Sequence, residues 1–145
     1  MMFGQRFLYV IVFLMVGGCS PKSSPIDYGT DGCHFCRMTI VDTQHAAEIV
    51  TKKGKTFKFD AVECMMNYRK EMDPNDIALY LCNHYTTPKE LIDATKATFL
   101  VSENIPSPMG EFLTAFETRQ AAEMQKRESG GNLYTWDELL TKLNR

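Results

Sequence analysis

Four residues with metal-binding or redox chemistry stand together in one short segment, Cys33-His34-Phe35-Cys36-Arg37-Met38. Thiolate and thioether sulfur are polarizable and suit a soft cation such as Cu(I). Zn(II) prefers four ligands, chiefly Cys and His, in a closed tetrahedron, and methionine is a poor ligand for it. The spacing therefore predicts a soft-metal site at Cys33, Cys36 and Met38, with His34 as a further potential donor.

The Cys-x-x-Cys spacing alone also suits a structural disulfide or a thiol–disulfide redox pair. A redox pair is expected at the start of a helix that follows a strand, where the helix dipole lowers the thiol pKa. Here the pair precedes Met38-Thr-Ile-Val41, a β-type run that we expect to begin a strand, which counts against redox chemistry. The disulfide remains an open alternative, and Cys64 and Cys82 are interpreted as small buried residues.

A second sulfur donor is predicted in the loop Ser107-Pro-Met109-Gly110. A methionine between proline and glycine has no helix or strand face to bury it, and loop residues held by a rigid scaffold often carry function. The alternative is that Met109 simply packs onto the core. No Ser/His/Asp arrangement, acid pair or phosphate-binding loop competes with the sulfur residues, so the chain is predicted not to be an enzyme.

The N-terminus is typical of an exported lipoprotein. Arg6 precedes an apolar run at residues 7–16, followed by Gly17, Gly18 and Cys19. A basic start, an apolar stretch and small residues before a cleavage point predict a signal peptide over residues 1–18, because a span would need roughly 20 apolar residues. Val-Gly-Gly-Cys resembles a lipobox, so Cys19 is the predicted lipidation site. Residues 19–31 are predicted to be the lipidated cysteine and a flexible Ser/Pro-containing tether, and residues 32–145 the folded domain.

The rest of the chain predicts an α+β domain with antiparallel sheet. Strands are expected at 46–51 and 56–59 as a hairpin, then at 77–82, 97–102 and 132–134, with a further apolar segment at 112–116. Capping-box spacing predicts helices that begin at Asp60, with Glu63, and at Thr135, with Glu138. A helix is also expected over 117–128, with Met124 near the core. The order gives two units of strand, strand, helix and strand.

Charge excludes one class of partner. The formal net charge is −2, and the one basic run is Lys52-Lys53-Gly54-Lys55. Because nucleic-acid-binding domains carry a strongly basic face, we expect no nucleic-acid partner.

Several of these motifs together resemble the NosL family, the lipoprotein accessory factors of nitrous oxide reductase. The resemblance covers residues from about Gly32 to Trp136. It rests on, in chain order, Cys33-His-Phe-Cys36-Arg-Met38-Thr-Ile40, Phe59-Asp-Ala-Val-Glu-Cys-Met65, Leu91-Ile-Asp-Ala94, Pro108-Met-Gly110 and Gly130-Gly131.

The resemblance implies a Cu(I) metallochaperone in the cell envelope, lipid-anchored to a membrane and facing the periplasm. It implies paired ββα-type units, similar to a domain of organomercurial lyase, and copper ligands at Cys36, Met38 and Met109, with Cys33 assisting. Its expected partner is the nitrous oxide reductase assembly complex, with ABC-type and periplasmic components. The alternatives are a lipid-anchored thiol–disulfide oxidoreductase using Cys33 and Cys36, and a structural lipoprotein with a disulfide.

Overall fold

The computed structural model describes residue 18 and residues 20–144. The predicted signal peptide lies outside these residues except for Gly18, and so does the predicted lipidation site, Cys19. Within the described part of the chain, no helix has the length and apolar character needed to cross a bilayer.

The first half of the domain is a four-stranded antiparallel sheet with a helix. It contains β1 (Ala47–Thr51), β2 (Thr56–Phe59), α1 (Val62–Tyr68), β3 (Ile77–His84) and β4 (Thr87–Asp93), and the strand order is β2-β1-β3-β4. The predicted hairpin is confirmed, with Glu48 opposite Lys58 in the register of β1 and β2. Because successive side chains alternate between faces, Phe57 and Phe59 both point into the core, where they are buried.

The second half repeats this plan with three strands. It contains β5 (Thr98–Val101), β6 (Leu113–Phe116), α2 (Arg119–Ser129) and β7 (Asn132–Tyr134), and α3 (Trp136–Leu143) closes the domain. The strand order is β6-β5-β7. In both halves the first strand is central, the second and third flank it, and a helix joins them. The predicted α+β class with antiparallel sheet is therefore confirmed, whereas the likeness to organomercurial lyase stays a prediction.

The outer face of the first sheet is covered by the N-terminal strap, residues 23–31. The Ser24 N–H and the Ser23 hydroxyl donate to the two oxygens of Glu48, over 2.9 and 3.4 Å. Lys58 Nζ lies 2.6 Å from both the Pro25 carbonyl oxygen and Asp31 Oδ2. Glu48 is consequently fully buried although it lies on the face of β1 opposite to the core. The predicted boundary between tether and domain stays a prediction, but the chain contacts the sheet from Ser23 onward.

Four local predictions are wrong. No strand forms at residues 38–41, where Thr39 makes a single bridge to Gly32, because the backbone turns sharply just before it. β4 was not predicted at all, since its Thr-Pro-Lys-Glu start lacks the alternation of a strand. The predicted start of α1 is shifted by one residue: its N-cap is Ala61, which has no side-chain cap. Met124 is 58% exposed on α2, since Ala122 occupies the core-facing position.

The error at α1 has a clear cause. Asp60 is buried, one of its carboxyl oxygens has no hydrogen-bond partner among the described residues, and no side chain caps α1. Glu63, the other half of the predicted box, accepts instead from the Ser107 hydroxyl at 2.5 Å. The second capping box, by contrast, is present: Thr135 and Glu138 each accept from the other's backbone N–H.

Candidate metal centre

Three cysteines converge at one edge of the first half of the domain. The sulfur atoms of Cys33, Cys36 and Cys64 all lie within 4.8 Å of one another. Cys33 and Cys36 stand on a tight turn, whereas Cys64 lies in α1. All three carry free thiols. We call this group the thiol cluster.

Backbone hydrogen bonds fix the position of the turn. The Cys33 N–H donates to the Met38 carbonyl over 2.8 Å, and the Arg37 N–H donates to the Cys33 carbonyl over 3.1 Å. Closing so tight a loop places Arg37 in the left-handed region, at φ +68°, which is costly for a residue with a Cβ. The His34 N–H donates to the Lys58 carbonyl over 2.9 Å and so holds the turn against the end of β2. Because α1 starts three residues after β2, Cys64 is brought to the same place.

Hydrogen bonds make the three sulfur atoms chemically unequal. The Cys64 thiol donates to Cys33, and backbone N–H groups of Asp60, Cys36 and Phe35 donate to the same sulfur, which together lower the pKa of Cys33 well below its ordinary range. The same hydrogen bond, together with burial, raises the pKa of Cys64. Burial likewise raises the pKa of Cys36. Of the three thiols, Cys33 is therefore the one that ionises most readily.

The thiol cluster is closed on one side and accessible on the other. Cys33 and Cys64 are buried, Cys36 is half-buried, and its neighbours Phe35 and Met38 are exposed. A metal–thiolate bond of about 2.3 Å would place three trigonal sulfur ligands about 4 Å apart. Small side-chain rotations would thus bring the three sulfur atoms onto one ion, and Cys36 is the ligand that an incoming ion would meet first.

The two predicted methionine ligands differ in their exposure. Met38 follows the turn and is 47% exposed. Met109 is partly buried and packs against the main core. Its loop is tied to α1 by the hydrogen bond from Ser107 to Glu63, the residue that precedes Cys64. Their role as ligands stays a prediction.

His34 is held in place by packing. Its Nδ1 accepts a hydrogen bond from the Lys58 N–H at 3.1 Å, and its ring meets that of Phe57 edge-on at 5.2 Å. The Lys58 carbonyl oxygen also lies 3.2 Å from Nδ1, so the Lys58 backbone occupies this nitrogen in either tautomer. The arrangement favours a structural role for this histidine.

Cys64 is the residue that the sequence interpretation missed. A buried structural cysteine and a buried ligand cysteine look alike in sequence, because both lie on the inward stripe of a helix. The available signal was the position of Cys64. It lies in the first turn of α1, and α1 follows β2, the strand that binds the Cys33 turn. Cys82 was interpreted in the same way, and it is a buried residue of β3 outside the thiol cluster.

Fold and site together define a small α+β domain with three clustered cysteine thiols that could hold a metal ion at one accessible edge. The sequence model of the NosL family matches residues 27–143, and the chain belongs to this family. It is 25% identical, over 147 aligned positions, to a copper-binding lipoprotein NosL of Stutzerimonas stutzeri, covering 91% of this chain and 77% of that protein.

The crystal structure of the copper chaperone NosL from Shewanella denitrificans has the same fold. It superposes with a TM-score of 0.70 at 25% identity and covers 82% of this chain and 96% of that one. The predicted family and fold class are confirmed. So is the prediction that the chain is not an enzyme, because both relatives are named for binding or carrying copper.

Proposed function

We propose that this protein is a lipoprotein metallochaperone that takes up Cu(I) at the thiol cluster and passes it on for the maturation of nitrous oxide reductase. Cys33, Cys36 and Cys64 are the thiol ligands in this proposal, and Met38 and Met109 are thioether ligands that assist in loading or release. Acylation of Cys19 would hold the domain at a membrane, facing the periplasm.

One observation carries the proposal: three cysteine sulfurs within 4.8 Å of one another, one of them at the surface. Thiolate sulfur is a preferred ligand of Cu(I). The names of the two relatives, a copper-binding lipoprotein and a copper chaperone, support copper over other soft metals.

The geometry supports carriage rather than storage. Two ligands are buried and preorganised by hydrogen bonds, so the ion is held firmly. The third, Cys36, stands at the exposed edge, where a sulfur ligand of a recipient can replace it without prior unfolding. The family resemblance points to the assembly complex of nitrous oxide reductase as that recipient.

The test is competition for Cu(I) between the reduced protein and a calibrated chelator. We expect one Cu(I) to be bound by the wild type, and a strongly reduced affinity for Cys36→Ser. Cys82→Ser is the matched control, because it changes a buried cysteine outside the thiol cluster and should leave the affinity unchanged. Equal affinities for wild type and Cys36→Ser would overturn the proposal.

A second measurement addresses the methionines. Met38→Ala and Met109→Ala should each weaken Cu(I) retention if the thioethers are ligands, with Met124→Ala, an exposed methionine on α2, as control. Protein oxidised at Cys33 and Cys36 should take up less Cu(I), because a disulfide leaves no thiolate to bind the metal. Undiminished binding by the oxidised protein would contradict the assignment of this pair.

A further inference from the structure

We propose that the basic turn, residues 52–55 between β1 and β2, contacts anionic phospholipid headgroups, and that the thiol cluster consequently points away from the membrane. This inference rests on the lipid anchoring of Cys19 proposed above. It assigns a membrane-facing end and a metal-exchanging end to the domain.

The N-terminal strap sets the direction from which the anchor approaches. Tyr28 exchanges hydrogen bonds with Asn83, which lies beyond the Ala47 end of β1. Ser23 and Ser24 bind Glu48, which is closer to the basic turn. From Tyr28 back to Ser23, the contacts of the strap thus shift from the level of Asn83 to the level of Glu48, which is closer to the basic turn. At about 3.3 Å per residue, the three residues before Ser23 span about 10 Å, which is the distance from Glu48 to the last residue of β1. The described chain before Ser23 is therefore long enough to reach the basic turn.

The basic turn is suited to such a surface. Lys52, Lys53 and Lys55 are all exposed, and none of them forms an ion pair with any described residue. Lys55 Nζ lies 4.6 Å from the centre of the Phe57 ring, so its ammonium group is partly engaged by a cation–π contact. Lys22, also exposed, adds a charge from the strap side.

The nearest acidic groups do not cancel this charge. Asp76, whose carbonyl accepts from the Lys52 N–H, and Asp73 lie in the adjoining turn and are both exposed. The four lysines outnumber these two carboxylates, so a positive excess remains at this end. Each lysine near a strongly anionic bilayer adds about fivefold to membrane affinity, and a basic patch beside an acyl chain is a common second membrane signal.

The thiol cluster lies at the other end of the same hairpin. The His34 N–H, next to Cys33, donates to the carbonyl of Lys58 near the end of β2, whereas the basic turn directly precedes β2. The six residues from Gly54 to Asp60 span about 20 Å in extended conformation. With the basic turn on the bilayer, Cys36 faces the aqueous space, and the metal is exchanged with a water-exposed domain of a partner.

The experiment uses the mature lipidated protein on unilamellar vesicles, of phosphatidylcholine alone or of phosphatidylcholine with phosphatidylglycerol. A membrane-impermeant reagent acetylates accessible amines, and mass spectrometry gives the rate at each lysine. On anionic vesicles we expect labelling of Lys52 and Lys53 to fall several-fold relative to neutral vesicles. Lys96 and Lys126, exposed residues elsewhere on the domain, should be unaffected. Molar salt, which shortens the Debye length to about 3 Å, should restore labelling.

The outcomes separate this inference from the function it rests on. An equal ratio of labelling on anionic to neutral vesicles at Lys52, Lys53, Lys96 and Lys126, on vesicles that carry the protein in a flotation gradient, would overturn the orientation alone. Protein that fails to float with either vesicle would overturn the anchoring and the orientation together, while Cu(I) competition on the same sample still tests the metal site. Glu48→Ala, which releases the strap, should reduce the protection of Lys52 and Lys53, and Glu48→Gln should retain it. Unchanged protection in Glu48→Ala would overturn the role of the strap.

Discussion

Replacing Cys64 by alanine or by serine separates its two roles in the thiol cluster. In the structure it donates a hydrogen bond to the Cys33 sulfur, and its own sulfur is within ligand distance of the same metal position. Serine keeps a donor but replaces a soft ligand by a hard one. Alanine removes both. We therefore expect the pKa of Cys33 to change only in Cys64→Ala, and the Cu(I) affinity to fall in both variants.

The size of the pKa change follows from the hydrogen bond that is lost. A hydrogen bond to a charged group contributes about 1.5–3 kcal/mol, and one pKa unit corresponds to about 1.4 kcal/mol. Loss of the Cys64 donor should thus raise the pKa of Cys33 by about one to two units. The backbone N–H groups of Asp60, Cys36 and Phe35 still donate, so the thiol remains more acidic than an ordinary cysteine.

The assay is a pH titration of thiolate ultraviolet absorbance, with alkylation and mass spectrometry to assign the titrating residue. Cys82→Ala is the matched control, because it removes a buried thiol outside the thiol cluster. A Cys33 titration that is identical in wild type and Cys64→Ala would refute the hydrogen bond. Unchanged Cu(I) affinity in Cys64→Ser would refute Cys64 as a ligand.

Three further predictions follow from other contacts. Cu(I) must displace the protons of Cys36 and Cys64, because burial raises the pKa of Cys36 and donation to Cys33 raises the pKa of Cys64. The Cu(I) affinity, measured against a chelator calibrated at each pH, should therefore rise up to tenfold per pH unit for each proton displaced. An affinity that does not change with pH would contradict this. Burial also raises the pKa of Glu48, so its ionised form disfavours folding above that pKa, and the disadvantage disappears as pH falls through it. Glu48→Gln should accordingly have a higher free energy of unfolding than wild type at neutral pH, as measured by denaturant titration, and this difference should shrink in acid. A difference that grows in acid would contradict the prediction. Gly131 has φ +98°, and a Cβ there would lie 2.2 Å from the Val101 carbonyl oxygen, so Gly131→Ala should cost more than about 2 kcal/mol. Gly54→Ala, with φ +84° and open space around it, should cost only about 1 kcal/mol, and equal losses in thermal unfolding would argue against the clash.

Much of the fold was predictable because its signals are local. The β1–β2 hairpin follows from two β-type runs around Gly54, and the start of α3 from the reciprocal hydrogen bonds of Thr135 and Glu138. The prediction failed where a longer-range contact competed with the local preference. Asp60 has the right spacing to cap α1, yet it is buried without capping the helix, and Glu63 is bound by Ser107 from a distant loop.

The sequence by itself restricted the chemistry to that of clustered sulfur residues, because a Cys-x-x-Cys-x-Met segment suits a soft metal, a redox pair or a disulfide whatever the fold. Only the tertiary structure decided which sulfur atoms meet. Spacing relates Cys33 to Cys36 within one turn of chain, but nothing local relates either of them to Cys64 or distinguishes Cys64 from Cys82. That choice is made by the packing of α1 against the end of β2, which brings one buried cysteine to the turn and leaves the other in the sheet.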